Sequence, residues 1–322
     1  MTEPIFRKVT LIGVGLIGSS LARALRLHGL ASEVVGCDSS EVVRAKLTEL
    51  GVVDRVIVDV GEACRDADLV TICVPVGAYT DVARAFSHVL KPGATVTDVG
   101  SVKVAVIEAV TPHLPEGVHF VPGHPVAGTE HSGPESGFAE LFEDRFCILT
   151  PPAGAEPAAV DRVAAMWTGV GSTVEIMDAE HHDKVLAITS HLPHLIAYTI
   201  VATASDLEGQ LMDEKAKGVD RVTTAEVVKY SAGGFRDFTR IAASDPIMWR
   251  DVFLNNRAAV LEMLGRFSED LTALRRAIRW SQGDLLESVF TRTREIRRGI
   301  IEAHQAGRFD PTEPTASESK EE

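Results

Sequence analysis

Short, almost wholly apolar runs alternate with amphipathic stretches through the first half of the chain. Lys8–Ile12, Glu33–Cys37, Leu69–Val74, Thr95–Val99, His119–Val121, Phe146–Thr150 and Thr173–Met177 read as strands. Ile17–Leu27, Glu41–Leu50, Ala78–Leu90, Val102–Val110 and Ala158–Trp167 carry helical spacing between them. Pro75 closes one apolar run, and Lys91-Pro92-Gly93 ends a helix with turn chemistry. Strands that are apolar throughout, joined by helices, imply an α/β fold with a doubly wound parallel sheet covered on both faces.

The pattern changes after Met177. Asp178 is placed to cap a long helix running through His181, His191 and Tyr198, and Pro193 within it predicts a kink or break near Thr189–His191. Further helices are expected around Thr224–Ser231, Asp245–Phe267 and Leu285–His304. Val260, Leu264, Phe267, Leu271, Leu274 and Ile278 recur at steps of four and three, a seam that suits either an intrachain core or a subunit interface. Residues 307–322 hold Pro, Ser and acids with almost nothing apolar, the composition of a disordered acidic tail. The division expected is a sheet domain over 1–177, an all-α domain over 178–306 and the tail.

The 322 residues are 45% apolar and 24% charged, as in ordinary globular proteins, and the formal net charge is −14. That charge repels phosphate backbones and argues against nucleic acid as a partner, while an anionic small substrate would need a local basic cluster. Cys37, Cys64, Cys73 and Cys147 show no CxxC spacing and read as reduced buried thiols. The first residues, MTEPIFRKVTLIG, do not read as a signal peptide, and no apolar run looks long enough to span a bilayer. A cytoplasmic protein without a membrane partner is the expectation.

Gly13-x-Gly15-x-x-Gly18 lies directly after a strand and before a helix, the context in which GxGxxG marks a Rossmann-type dinucleotide site. Gly13 allows the tight turn, Gly15 the close approach of a pyrophosphate, and Gly18 the packing of helix on strand. Leu16 and Ile17 open the helix whose free N–H groups face the anion. Asp38 ends the second strand about 20 residues further on, where an acid binds the ribose hydroxyls and repels a 2′-phosphate. NAD is therefore favoured over NADP, with Arg44 the residue that argues otherwise. Val74 and Pro75 end one strand at the ligand-binding rim, and Ser101 follows another, as a nicotinamide neighbour or a helix cap. Lys103 reads as a surface cation without an assigned role.

His124, in Gly-His-Pro, follows the next strand at the same rim, where a neutral imidazole can accept a proton from a substrate hydroxyl. GVGLIGSSLARAL, DVGSVK, GHPVAGTEHSG, SHLPHLIAY and GGFRDFTRIAASDPIMWRD, in that order, resemble the prephenate and arogenate (cyclohexadienyl) dehydrogenases of tyrosine biosynthesis. The resemblance implies a Rossmann domain, a helical dimerisation domain and NAD-dependent oxidative decarboxylation of a cyclohexadienol. It implies that His124 accepts a hydrogen bond from the ring 4-hydroxyl and that Ser101 orients it. It also implies His194, Arg240, Arg236, Thr129, Glu130 and Trp249 around the substrate, with Arg240 on a carboxylate. Relatives often carry Lys where Arg236 stands. Prephenate, arogenate or both are the substrates implied and a homodimer the assembly; tyrosine is a candidate feedback ligand because the product resembles the substrate. A different two-domain NAD(P) dehydrogenase and a silent NAD-binding sensor stay open as rivals. His181, His182, His191 and His194 do not match a metal site, and His181 and His182 read as solvent-facing.

Overall fold

The computed structural model describes residues 3–216 and 233–302. Six strands form a parallel sheet: β1 (Phe6–Ile12), β2 (Ala31–Cys37), β3 (Arg55–Ile57), β4 (Leu69–Ile72), β5 (Thr95–Asp98) and β6 (His119–Val121). Their order is β3-β2-β1-β4-β5-β6, so the order in which parallel strands are added reverses between β1 and β4. In open sheets of this kind ligands bind at that switch point, outside the carboxyl ends of the strands.

The period-2 alternation of a strand sends neighbouring side chains to opposite faces. Val9 and Leu11 join one core cluster with Leu21, Leu25, Phe142 and Trp167. Ile12, Val70 and Ile72 join another with Phe86, Val96 and Val106. Both faces are thus dry, and each fully buried Leu, Ile or Phe contributes about 1.5–3 kcal/mol. Helices α1 (Leu16–Leu27), α2 (Glu41–Leu50), α3 (Val60–Cys64), α4 (Tyr79–Ser87), α5 (Val104–Val110) and α6 (Pro157–Gly169) supply the covering layers. The four cysteines are free thiols.

Two features differ from the sequence reading. β3 and α3 had no strong apolar signal, because three residues of strand carry no legible period. The last strands do not extend the main sheet: β7 (Gly123–Pro125), β8 (Phe146–Leu149) and β9 (Thr173–Ile176) make a separate three-stranded sheet, antiparallel then parallel. His124 therefore stands in a strand, paired opposite Ile148, rather than in an open loop.

Helix α7 (Ala179–Leu186) is capped by Asp178, whose carboxylate accepts from Glu180 and His181 N–H. It runs through one π-turn, Ala187–His191, into α8 (Leu192–Ala216). The break expected from Pro193 is thus a local widening of a continuous helix, a feature frequent at functional sites. Contrary to the sequence expectation, Ala179–Asp206 is long and apolar enough by length and composition to cross a membrane. Its buried residues include His182, Asp183 and His191, which serve the polar network described below.

α9 (Gly233–Thr239) and a short 3-10 turn (Arg240–Ala243) lead to α10 (Pro246–Asn255), α11 (Arg257–Arg279) and α12 (Gly283–Glu302). Asp245 caps α10 through the Met248 N–H, and the single helix expected over Asp245–Phe267 is interrupted at Asn256. The helix expected at Thr224–Ser231 and the tail at 307–322 lie outside the described residues. One compact unit runs from Met1 to Met263 and a second starts at Leu264. In the second, Leu271, Ile278, Trp280, Phe290 and Ile296 are exposed apolar residues.

Candidate active site

The glycine loop at the switch point shows three distinct constraints. Gly13 has φ +85°, and a Cβ there would come within 2.6 Å of Val74 Cγ1. A Cβ on Gly18 would fall 2.6 Å from the Gly13 carbonyl oxygen, so strand and helix could not close. A Cβ on Gly15 would meet no protein atom within 4 Å. The first two glycines serve packing, and the third leaves open space beside the start of α1, where no side chain caps the free N–H groups. That is the arrangement an anion needs. Asp38 accepts from Val14 N–H at 3.0 Å and Ser40 N–H at 2.9 Å, which fixes its carboxylate beside the loop. Arg44 donates to the backbone carbonyls of Asp38 and Ser39. The residues present fit a dinucleotide.

Past the ends of β5 and β6 a buried chain of hydrogen bonds begins at His124. Its Nδ1 lies 2.8 Å from His182 Nε2, and His182 Nδ1 lies 2.8 Å from Asp183 Oδ1. A carboxylate accepts only, so His182 carries its proton on Nδ1. Burial holds His182 below the ordinary imidazole range despite Asp183, so the ring is neutral and Nε2 accepts. His124 must then donate from Nδ1. Its Nε2 is left with a lone pair, the form able to accept a hydrogen bond from a substrate. Burial, then His182, Lys103 and His191, push the His124 pKa well below its ordinary value, so the ring stays neutral.

Asp183 is held in turn by the N–H groups of Lys103 and Val104, at 2.8 and 3.0 Å. It thereby caps α5 from a distant segment, and Ser101 does not serve as that cap. Asn256 donates to the Asp183 carbonyl at 2.8 Å and contacts His191 Nδ1 at 3.2 Å. Burial lowers His191 to about 4, against the opposing charge of Asp183.

The residues expected around the substrate fall into two groups. His194 stacks on Trp249 with centroids 3.6 Å apart, and Trp249 meets His191 edge-on at 6.0 Å. The Ser190 carbonyl accepts from His194 Nδ1 at 2.9 Å, which leaves Nε2 as the acceptor. Arg240 pairs with Glu130 at 3.0 Å, both partly exposed, and Thr129 Oγ1 accepts the His131 N–H. Arg236 is exposed on α9. Among the described residues no group of three or more His, Cys, Asp or Glu is placed to hold a metal ion.

Two expectations are overturned by burial. His182 is not solvent-facing but fully buried, although His181 beside it is exposed. Lys103 is not a surface cation but fully buried against Asp98. Asp183 and Asp98 were missed. The one available signal was an acid beside a histidine, and a strand-end acid five residues before a lysine.

The family model for the nucleotide-binding domain of prephenate dehydrogenase matches residues 21–176, and that for its dimerisation domain matches 178–292. A cyclohexadienyl dehydrogenase of Zymomonas mobilis is 42% identical over 300 residues, covering 93% of this chain and 98% of the relative. The chain belongs to the prephenate dehydrogenase family. A prephenate dehydrogenase of Bacillus subtilis is 30% identical over 91% of this chain and 76% of its own length. Among solved structures, A. aeolicus prephenate dehydrogenase, in complex with hydroxyphenyl propionate and NAD+, superposes with a TM-score of 0.80 at 34% identity. It covers 92% of this chain and 98% of its own. Synechocystis arogenate dehydrogenase gives 0.73 at 25% identity over 91% and 99%.

Proposed function

We propose that this chain is an NAD-dependent dehydrogenase of tyrosine biosynthesis that oxidatively decarboxylates prephenate to 4-hydroxyphenylpyruvate, arogenate to tyrosine, or both. Family membership supports the reaction class. The observation that carries the residue-level reading is the tautomer imposed on His124 by His182 and Asp183.

Gly13, Gly15, Leu16, Ile17, Gly18, Asp38, Val74 and Pro75 would hold NAD, with Ser101 beside the nicotinamide. When bound, NAD accepts the hydride that leaves the ring at C4. Positive charge then builds on the ring, and His124 Nε2 accepts a hydrogen bond from the 4-hydroxyl as it does so. The bond from C1 to its carboxylate breaks, carbon dioxide departs, and the electron pair left behind completes the aromatic ring. The hydroxyl proton stays with the phenol, so His124 needs to stabilise the transition state without keeping a proton. Arg240 serves the carboxylate end. Its pair with Glu130 is solvent-screened and therefore weak, so exchange for a substrate carboxylate costs little. His194 and Trp249 would form the wall of the pocket.

We further assign a homodimer, supported by the dimerisation-domain match and by the exposed apolar residues after Leu264, and tyrosine as a competing ligand because it keeps the product's phenol. The direct assay is NADH absorbance after adding prephenate or arogenate to the protein with NAD+. Turnover of at least one is expected, and the ratio of kcat/KM values names the preferred substrate. NADH formation with neither would overturn the reading.

A further inference from the structure

Asp98 and Lys103 form an ion pair with both side chains fully buried, Nζ to Oδ2 at 2.6 Å. Tyr79 and the Gly100 N–H donate to the same carboxylate oxygen, at 3.1 and 2.7 Å. Stability alone does not explain such a pair. The desolvation of two charges rivals their attraction, and a well-packed apolar pair of similar volume serves a core as well. What distinguishes this pair is the peptide it brackets. Asp98 Oδ1 accepts the Gly123 N–H at 3.0 Å, and Lys103 Nζ donates to the Gly123 carbonyl at 2.6 Å. Both poles of the residue before His124 are therefore held by one ion pair. A Cβ on Gly123 would stand 3.1 Å from the Asp98 carbonyl oxygen, so the fit is close.

We infer that the Asp98–Lys103 pair positions His124, acting through the Gly123 peptide. Strand pairing with Ile148 fixes His124 on its other side, and His182 sets the rotation of the ring. Residue 103 reaches the ring by a second route as well, because its own N–H holds the Asp183 carboxylate that fixes the tautomer. The charged and titratable groups around His124 are Lys103 after β5, His182 on α7, His191 in the π-turn and, against its backbone, the buried Cys147 thiol on β8. Asp98 and Asp183 stand behind Lys103 and His182. The ammonium of Lys103 also adds to burial in keeping the imidazole neutral. This assignment rests on the acceptor role given to His124 above.

The test removes both charges together, Lys103→Met with Asp98→Asn, so that no lone charge stays buried. Thermal unfolding and NAD+ affinity establish that the variant is folded. Nitrogen-15 NMR of the free protein then reads the His124 ring without reference to the reaction. The expected result is a His124 pKa above that of the wild type and loss of the Nδ1–H bond to His182. With prephenate, kcat falls by about 10–100-fold with KM little changed, the size of effect that small misplacement of a catalytic group produces. A folded variant with a wild-type His124 titration and wild-type kcat overturns the inference. A displaced ring with unchanged kcat supports the clamp and overturns the acceptor role instead. If the double variant does not fold, Lys103→Arg keeps the charge and changes the donor geometry: loss of the Nδ1–H bond to His182 with lower kcat is then expected, and a wild-type His124 ring with wild-type kcat overturns the inference.

Discussion

His124, His182 and His191 share one buried volume, and burial opposes protonation of each. Unfolded imidazoles titrate near pH 6.5. Between that value and the lower folded values the unfolded chain binds more protons, so stability declines as pH falls. The loss begins near pH 6.5 and continues toward about 4, the His191 value. Activity is expected to hold through neutrality and to fall only below the ordinary imidazole range, since His124 Nε2 is blocked once protonated. Parallel pH profiles of kcat and of the urea midpoint check this; an acid limb above pH 6.5 would contradict the environment described for His124. A sharper residue-level expectation concerns Asp183→Asn. An amide nitrogen at the Oδ1 position would give up the bond from the Lys103 N–H and donate to His182 Nδ1, which would reverse both imidazole tautomers and put a proton on His124 Nε2. The drop in kcat should be about 10²–10⁴, as when the orienting acid of a Ser-His-Asp triad becomes an amide. Unchanged kcat would show that the relay does not set the tautomer. His124 itself was legible, because its Gly-His-Pro setting follows a strand. His182 and Lys103 were not, since a histidine in a first helical turn and a lysine after a strand look solvated until distant chain covers them.

At the level of elements, the glycine loop separates folding from cofactor binding. Gly15→Ala meets no protein atom and should leave the melting temperature unchanged while weakening NAD+ binding. Gly18→Ala collides with the Gly13 carbonyl and should destabilise the fold by about 1–3 kcal/mol, the usual cost of overpacking. Melting curves with and without NAD+ distinguish the two; equal destabilisation by both would deny Gly15 its separate role. The long strands and α1 were readable from apolar runs and helical spacing. β3 and β7 were not, because three-residue strands are defined by their partners. The π-turn had a visible cause in Pro193, yet sequence alone reads a proline as a break, and only packing on both sides lets the helix continue through it.

Taken as a whole, the molecule carries a net charge of −14 and is proposed to bind a substrate with carboxylates. Local cations must therefore overcome an unfavourable field. Arg240 is the one proposed to do so. Arg240→Ala is expected to raise KM for prephenate chiefly, with a smaller effect on kcat; collapse of kcat at constant KM would reverse that division of labour. The all-helical second half was foreseeable in outline, since strand signals vanish after β9. That the first compact unit continues to Met263 was not, because it depends on His182, Asp183, His191 and Trp249 being buried against the rim of the sheet. A neutral His124, held as an Nε2 acceptor, is proposed to stabilise the transition state. Steady-state kinetics of His124→Asn should show kcat lower by about 10²–10⁴ with KM and NAD+ affinity little changed; near-normal turnover in that variant would remove His124 from this role.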